Sequence, residues 1–183
     1  MKMTIKDKIL FIFFGAVVAC LAVSISASAK DSSNLSQSQA DMIVQNCTQI
    51  QATLSSIHSS DALLRVNRGQ TYELIASRLM SPMNTRIAAN NLDGASLIQL
   101  TSDYSDDLSD FRDTYISYER QMAKTIRTNC HKSADNFYQN LVKTRQLRQE
   151  VHEYVVDINK GIRDYEKAFD SFRKMLTLKG STE

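Results

Sequence analysis

Only one proline and five glycines occur in 183 residues, and tryptophan is absent. Tight turns draw on proline and glycine, so a chain this poor in both cannot supply the many reversals of a β-sandwich or barrel. Charge of one sign is also missing. The formal net charge is +2, and without residues 1–29, which hold Lys2, Lys6, Lys8 and Asp7, 19 basic and 19 acidic residues remain. A neutral domain lacks the surplus cations that face phosphates, so no nucleic-acid partner is expected. No Gly-rich phosphate loop, Gly-x-Ser-x-Gly or His-Glu-x-x-His occurs. With them go the motif grounds for catalysis, a cofactor or a small-molecule substrate. Cys130-His131 and Cys47 lack the paired spacing of a zinc site, so no metal is expected either.

One long hydrophobic run is present, and it lies at the start. Met1–Lys8 carries three lysines, and the 21 residues from Ile9 to Ala29 are uncharged. A basic start, an apolar centre and Ala27 and Ala29 at the −3 and −1 positions match a cleavable signal peptide over 1–29. Two rivals stay open. The run is long enough to span a bilayer, so residues 9–29 would hold an uncleaved chain to the membrane. Val17-Val18-Ala19-Cys20 resembles a lipobox, which would lipidate Cys20, although the apolar run continues past it. All three readings export the chain, to the periplasm, the medium or the outer side of the cytoplasmic membrane.

Residues 30–38 are small and polar and read as a tether; 39–179 read as one helical domain. Ile43, Cys47, Ile50, Leu54, Ile57 and Leu64 fall three, four or seven apart, the stripe of an amphipathic helix. Ser59-Ser60-Asp61 and Gly69 predict a kink or short break within 58–70. A further helical stretch passes through Tyr72, Ile75 and Leu79 to Ser81-Pro82, where it ends or restarts. Asn90-Asn91-Leu92-Asp93-Gly94 is the clearest loop, and Ser96 with Gln99 predicts a capping box after it. Leu97, Thr101, Tyr104, Leu108, Phe111, Tyr115, Tyr118 and Met122 then form one seam. A last seam runs from Phe137 through Leu141, Thr144, Arg148, Val151, Val155, Ile158, Ile162, Tyr165, Phe169 and Phe172 to Leu176, broken only by Thr144 and Arg148. Alternating steps of four and three over nearly six heptads are a coiled-coil pattern. The expected fold is all-α: an elongated, antiparallel, coiled-coil-like bundle of three main helices behind an N-terminal signal or anchor helix.

Export removes Cys20 from the folded domain, or keeps it at the membrane, and leaves Cys47 and Cys130. An even count in an oxidising compartment predicts a disulfide, and a chain reversal near residue 88 would bring position 130 beside Cys47. Closing a loop of more than 80 residues contributes roughly 4 kcal/mol on the chain-entropy view.

Asp103, Asp106, Asp107, Asp110 and Asp113 form an acidic run, followed by Arg120, Lys124, Arg127 and Lys132. A solvated helix face is the plainer account of these charges; the functional account is an interaction surface for a protein partner or for self-association. Arg148, a charge at a seam position, would either fix register or reach out to solvent. If it fixes register from a buried site, Arg148→Leu should raise stability.

Cys47-Thr48-Gln49-Ile50, the Leu92-to-Leu97 loop, Asp103-Tyr104, Cys130 and the Phe137-to-Val151 stretch with Arg145 and Arg148 together resemble a group of exported bacterial coiled-coil proteins of no assigned activity. The resemblance covers about residues 40–175 and implies the two-cysteine pairing. The expectation is a non-enzymatic extracytoplasmic protein acting through protein or envelope contacts. The alternative is a periplasmic chaperone-like or adaptor protein gripping clients with a helical hairpin. Exported protein should migrate differently on reducing and non-reducing gels; identical mobility would remove the disulfide from the account.

Overall fold

The computed structural model describes residues 35–180, with side chains through 178. The signal or anchor expected over 1–29, residues 30–34 of the tether, and Cys20 lie outside the described residues. Within them the chain is helical apart from short connections, with no strand. The elements are α1 (Gln37–Gln45), α2 (Cys47–Ile75), a π-helical turn (Ala76–Met80), α3 (Ser81–Ala89), α4 (Ala95–Arg127) and α5 (Ala134–Gly180). The fold is all-α. Among the described residues no helix is long and apolar enough to cross a membrane.

Local chemistry sets the boundaries, in places against expectation. Ser36 opens α1 with a reciprocal cap: its hydroxyl accepts from the Gln39 amide, and its own amide donates to Gln39 Oε1. The helix therefore begins inside the stretch read as a tether. The break expected within 58–70 is absent, because α2 runs unbroken from Cys47 to Ile75. The hydroxyls of Ser55 and Ser59 donate to carbonyls four residues back instead of competing with the helix. Gly69 costs about 1 kcal/mol relative to alanine, and side chains on both sides of it are fastened to α4. The irregularity falls later, in the wider turn Ala76–Met80, and Pro82 enters the first turn of α3, a position that tolerates a missing amide.

The loop after α3 is where the sequence placed it. Asn91 takes a positive φ of 48°, a conformation asparagine tolerates better than most residues. At Gly94 a Cβ would come within 2.7 Å of the Ile87 side chain, so the chain passes too close there for any larger residue. Gly94 itself precedes the first turn of α4. The capping box expected at Ser96 and Gln99 consequently does not form; Gln99 donates to Asp103 instead, at 2.7 Å.

α4 is the helix on which both other long helices pack, while α1 lies against α5 and α2. Leu97, Tyr104, Leu108, Phe111, Tyr115, Tyr118 and Met122, seven of its eight seam residues, are buried. Its contacts climb α2 as they descend α4: Cys47 meets Cys130 just beyond α4, Asp61 meets Tyr118, and the Tyr104 hydroxyl donates to the Tyr72 carbonyl at 3.0 Å. Cys47 and Cys130 form a disulfide with α-carbons 5.6 Å apart, tying the first turn of α2 to the turn between α4 and α5. Both sulfurs sit in the same cluster as Leu54, Tyr118, Met122 and Phe137. α5, 47 residues long and hence about 70 Å at 1.5 Å per residue, lies along α4 over most of α4's length.

A buried polar ladder stitches α4 to α5. Gln121 donates to the backbone and side-chain oxygens of Asn140, both at 3.2 Å. One rung on, the hydroxyls of Thr125 and Thr144 share a hydrogen bond of 2.7 Å. Thr144, one of two departures from the apolar seam, is thus matched across the interface. Removing one partner of a buried pair costs about 1–3 kcal/mol, whereas replacing both by apolar groups of the same shape is close to neutral. Thr144→Val should therefore lower unfolding free energy by about 1 kcal/mol, and Thr125→Val in the same chain should recover most of that loss. Urea unfolding of the two single variants and the double variant measures it; additive losses would show that the rung is not a coupled pair.

Candidate interaction surface

α2 and α5 both lie against α4, but their backbones make little direct approach to each other. Between them an open groove runs over the aromatic stripe of α4. Its larger hollow, about 660 Å³, is floored by Phe111, Tyr115 and Tyr118 and walled by Leu64, Arg65 and Arg68 of α2 and Arg145, Val151, His152 and Val155 of α5. A second hollow of about 550 Å³ continues it past Ile50, Leu54, Ile57, Met122 and Leu141. Arg145 and Arg148 line both.

Arg148 stands between the two hollows because it is held there. Its Nε donates to Asp61 Oδ2 at 2.8 Å and its Nη2 to Oδ1 at 3.1 Å, while the Tyr118 hydroxyl donates to Oδ2 at 2.6 Å. One carboxylate thus joins all three long helices. The Asp61 side chain is 13% exposed and that of Arg148 is 56% exposed, so the acid is desolvated and the cation caps it from the solvent side. Burial alone would raise the Asp61 carboxyl; the hydrogen bonds from Arg148 and Tyr118, with the charges of Arg148 and His58, outweigh it and hold the group below the ordinary carboxylate range. The same hydrogen bond keeps Arg148 charged, and burial first, then the neighbouring carboxylate, pushes the Tyr118 hydroxyl up.

Polar links continue along α2 on the far side of this hub. His58 pairs with Glu119, which also accepts from the Tyr115 hydroxyl, and Glu73 pairs with Arg112. The Arg65 guanidinium lies 5.4 Å from the Tyr115 ring centroid, a cation–π contact. Arg68 and Arg145, at the rim, have no carboxylate partner among the described residues. The groove therefore offers the aliphatic surface of Leu64, Val151 and Val155, over a buried aromatic floor and below a cationic edge, which suits a ligand carrying apolar and acidic groups together.

The charged residues expected to form an interaction surface lie elsewhere, on the opposite face of α4. Asp103, Asp106, Asp110, Asp113, Arg120, Lys124 and Arg127 are all exposed, and none joins an ion pair among the described residues. Asp107 is the exception, half-buried on the side of α5. Burial, then Asp157, and then the other aspartates of the run push its carboxyl up. Among the described residues no group of three or more His, Cys, Asp or Glu could hold a metal ion. Reading the sequence did not find Asp61, Arg65, Arg68 or Tyr118 as a site. The available signal was a pair of opposite lone charges interrupting two apolar stripes, Asp61 on one and Arg148 on the other. Compared with known proteins, the chain matches no family model, no curated protein and no solved structure.

The hub reverses the stability gain expected for Arg148→Leu. Leucine there leaves Asp61 with Tyr118 alone, so unfolding free energy should fall by about 1–2 kcal/mol, reduced by the solvent around Arg148. Because the folded Asp61 carboxyl lies below its ordinary value of 3.8, its stabilising contribution is complete above about pH 4 and is lost as pH falls further through the lower folded value. Asp107, raised, acts in the opposite sense and is relieved by acid. Thermal melts of the parent, Arg148→Leu and Asp61→Asn between pH 2 and 7 test this. Parent and variants should converge at the acid end, and a constant difference at every pH would rule out the hub as the source.

Proposed function

We propose that this chain is a non-enzymatic extracytoplasmic protein that works by gripping another protein in the groove between α2 and α5. Its helices form a three-stranded antiparallel, coiled-coil-like bundle that presents the groove, and residues 1–29 deliver or anchor that bundle outside the cytoplasm. The observation that carries the reading is the open groove itself, with Phe111, Tyr115 and Tyr118 below Arg68 and Arg145, which have no carboxylate partner among the described residues. A partner segment with apolar residues on one face and acidic residues beside them would fill the hollows and neutralise the rim. A buried disulfide suits an oxidising compartment.

A chaperone-like reading is the second. It draws on exposed apolar residues of α2, Leu63 at 67%, Leu64 at 50%, Val66 at 45% and Leu74 at 47%, which non-native clients would contact with little selectivity.

A photo-crosslinking residue at Leu64, with another at Gln70 as an exposed control on α2, separates the two. A groove that serves one partner gives a discrete crosslinked band from Leu64, absent from Gln70, that disappears in Arg68→Glu/Arg145→Glu. A chaperone gives a smear of many clients that survives the charge reversal, and retards aggregation of a reduced test protein. No crosslink at Leu64 above the Gln70 level would sink both readings.

A further inference from the structure

The outward face of α4 carries a pattern that a solvated face does not need. Asp103, Asp106, Asp110, Asp113, Ser117, Arg120, Lys124 and Arg127 follow one another in alternating steps of three and four. That spacing puts all eight on a single stripe, the geometry of a coiled-coil seam, here on the side of the helix away from its buried residues. Every one of them is exposed. The stripe changes sign once, acidic before Ser117 and basic after it.

A stripe with one sign change is complementary to itself when turned end for end. We propose that it is a self-association surface, on which the α4 of a second copy lies antiparallel across a two-fold axis. Asp103 then faces Arg127, Asp106 faces Lys124 and Asp110 faces Arg120, and the symmetry repeats each pair. A parallel pairing in register sets aspartate against aspartate and cation against cation, so the charges select the antiparallel arrangement. At the axis Asp113 of one copy faces Ser117 of the other, and the nearby Ile116, 41% exposed, gives each copy one apolar residue to bury close to the centre.

Exposed ion pairs are individually weak, so the dimer is salt-sensitive and reversible. The surface lies across α4 from the groove and does not rest on what fills it: Arg145→Glu leaves dimerisation unchanged.

Sedimentation equilibrium of the full chain in density-matched nonionic detergent tests the proposal. At about 50 mM salt the protein is a monomer–dimer mixture, and the dissociation constant rises at least about tenfold by 500 mM. Asp106→Lys/Asp110→Lys, whose stripe holds five cations against two aspartates, is monomeric, as is Arg120→Glu/Lys124→Glu, whose stripe holds six acids against one cation. Mixing these two variants restores dimers at least as tight as those of the parent, and only a stripe-to-stripe contact predicts that rescue. Helical circular dichroism equal to that of the parent shows that each variant is folded. A parent chain that stays monomeric at low salt, or a dimer unmoved by either reversal, overturns the proposal. So does a mixture that remains monomeric.

Discussion

The Asp61 carboxylate is the point at which α2, α4 and α5 are made to agree. α4 carries a continuous buried stripe and would accept neighbours on either flank. Nothing in an apolar stripe fixes how far a neighbouring helix slides, since hydrophobic attraction is non-directional. The bidentate Arg148 fork and the Tyr118 hydroxyl on one desolvated carboxylate do fix it, because a shift of one residue would leave a buried acid unpaired. The disulfide below and the Tyr72–Tyr104 bond above bracket this point along α2. The threonine and glutamine–asparagine rungs set the α4–α5 register in the same directional way.

That arrangement also explains why the groove is open. α2 and α5 are joined over α4 by a long arginine side chain rather than by backbone approach, and a long bridge holds them apart. The space on either side of Arg148 is the two hollows. Closing them with larger apolar residues would bring more burial, at about 25 cal/mol per Å². The chain instead leaves open space over a buried aromatic floor, beneath arginines that have no carboxylate partner among the described residues.

Much of the fold was legible in the sequence, because α4 and α5 each bury one stripe and a stripe leaves a periodic trace. The α4 residues expected inside are inside, Thr101 excepted. α5 is legible but shallow: Arg148 and Phe169 of its seam are exposed, since α4 covers one flank and the groove leaves the other bare. Serine, aspartate and glycine within 58–70 promised a break that tertiary fastening prevented. Asp61 was misread for the same reason, as a polar interruption of an apolar pattern, whereas opposite charges on two separate seams are a pairing signal. The π-helical turn at 76–80 leaves no periodic trace, and the start of α4 turned on the Gly94–Ile87 approach, a contact that spacing does not encode.

The two faces of α4 constrain the chain's placement through geometry. Cys47 is fastened to Cys130, so each copy enters its described domain at the basic end of its α4 stripe. Pairing two stripes end for end puts those entries at opposite ends of the contact. Asp103 and Arg127 are 24 residues apart, which separates the entries by roughly 36 Å along the helix at 1.5 Å per residue. Chains released by cleavage after Ala29 meet in this way freely. Chains held by residues 9–29 in one membrane would each have to turn their tether back along the bundle, and residues 30–36 are few for that, whereas anchors in two facing membranes fit the opposed entries directly. On the proposed pairing, cleavage and stripe association would be coupled: the same interface would give a free dimer in one case and a bridge between surfaces in the other, with the α2–α5 grooves of both copies left uncovered.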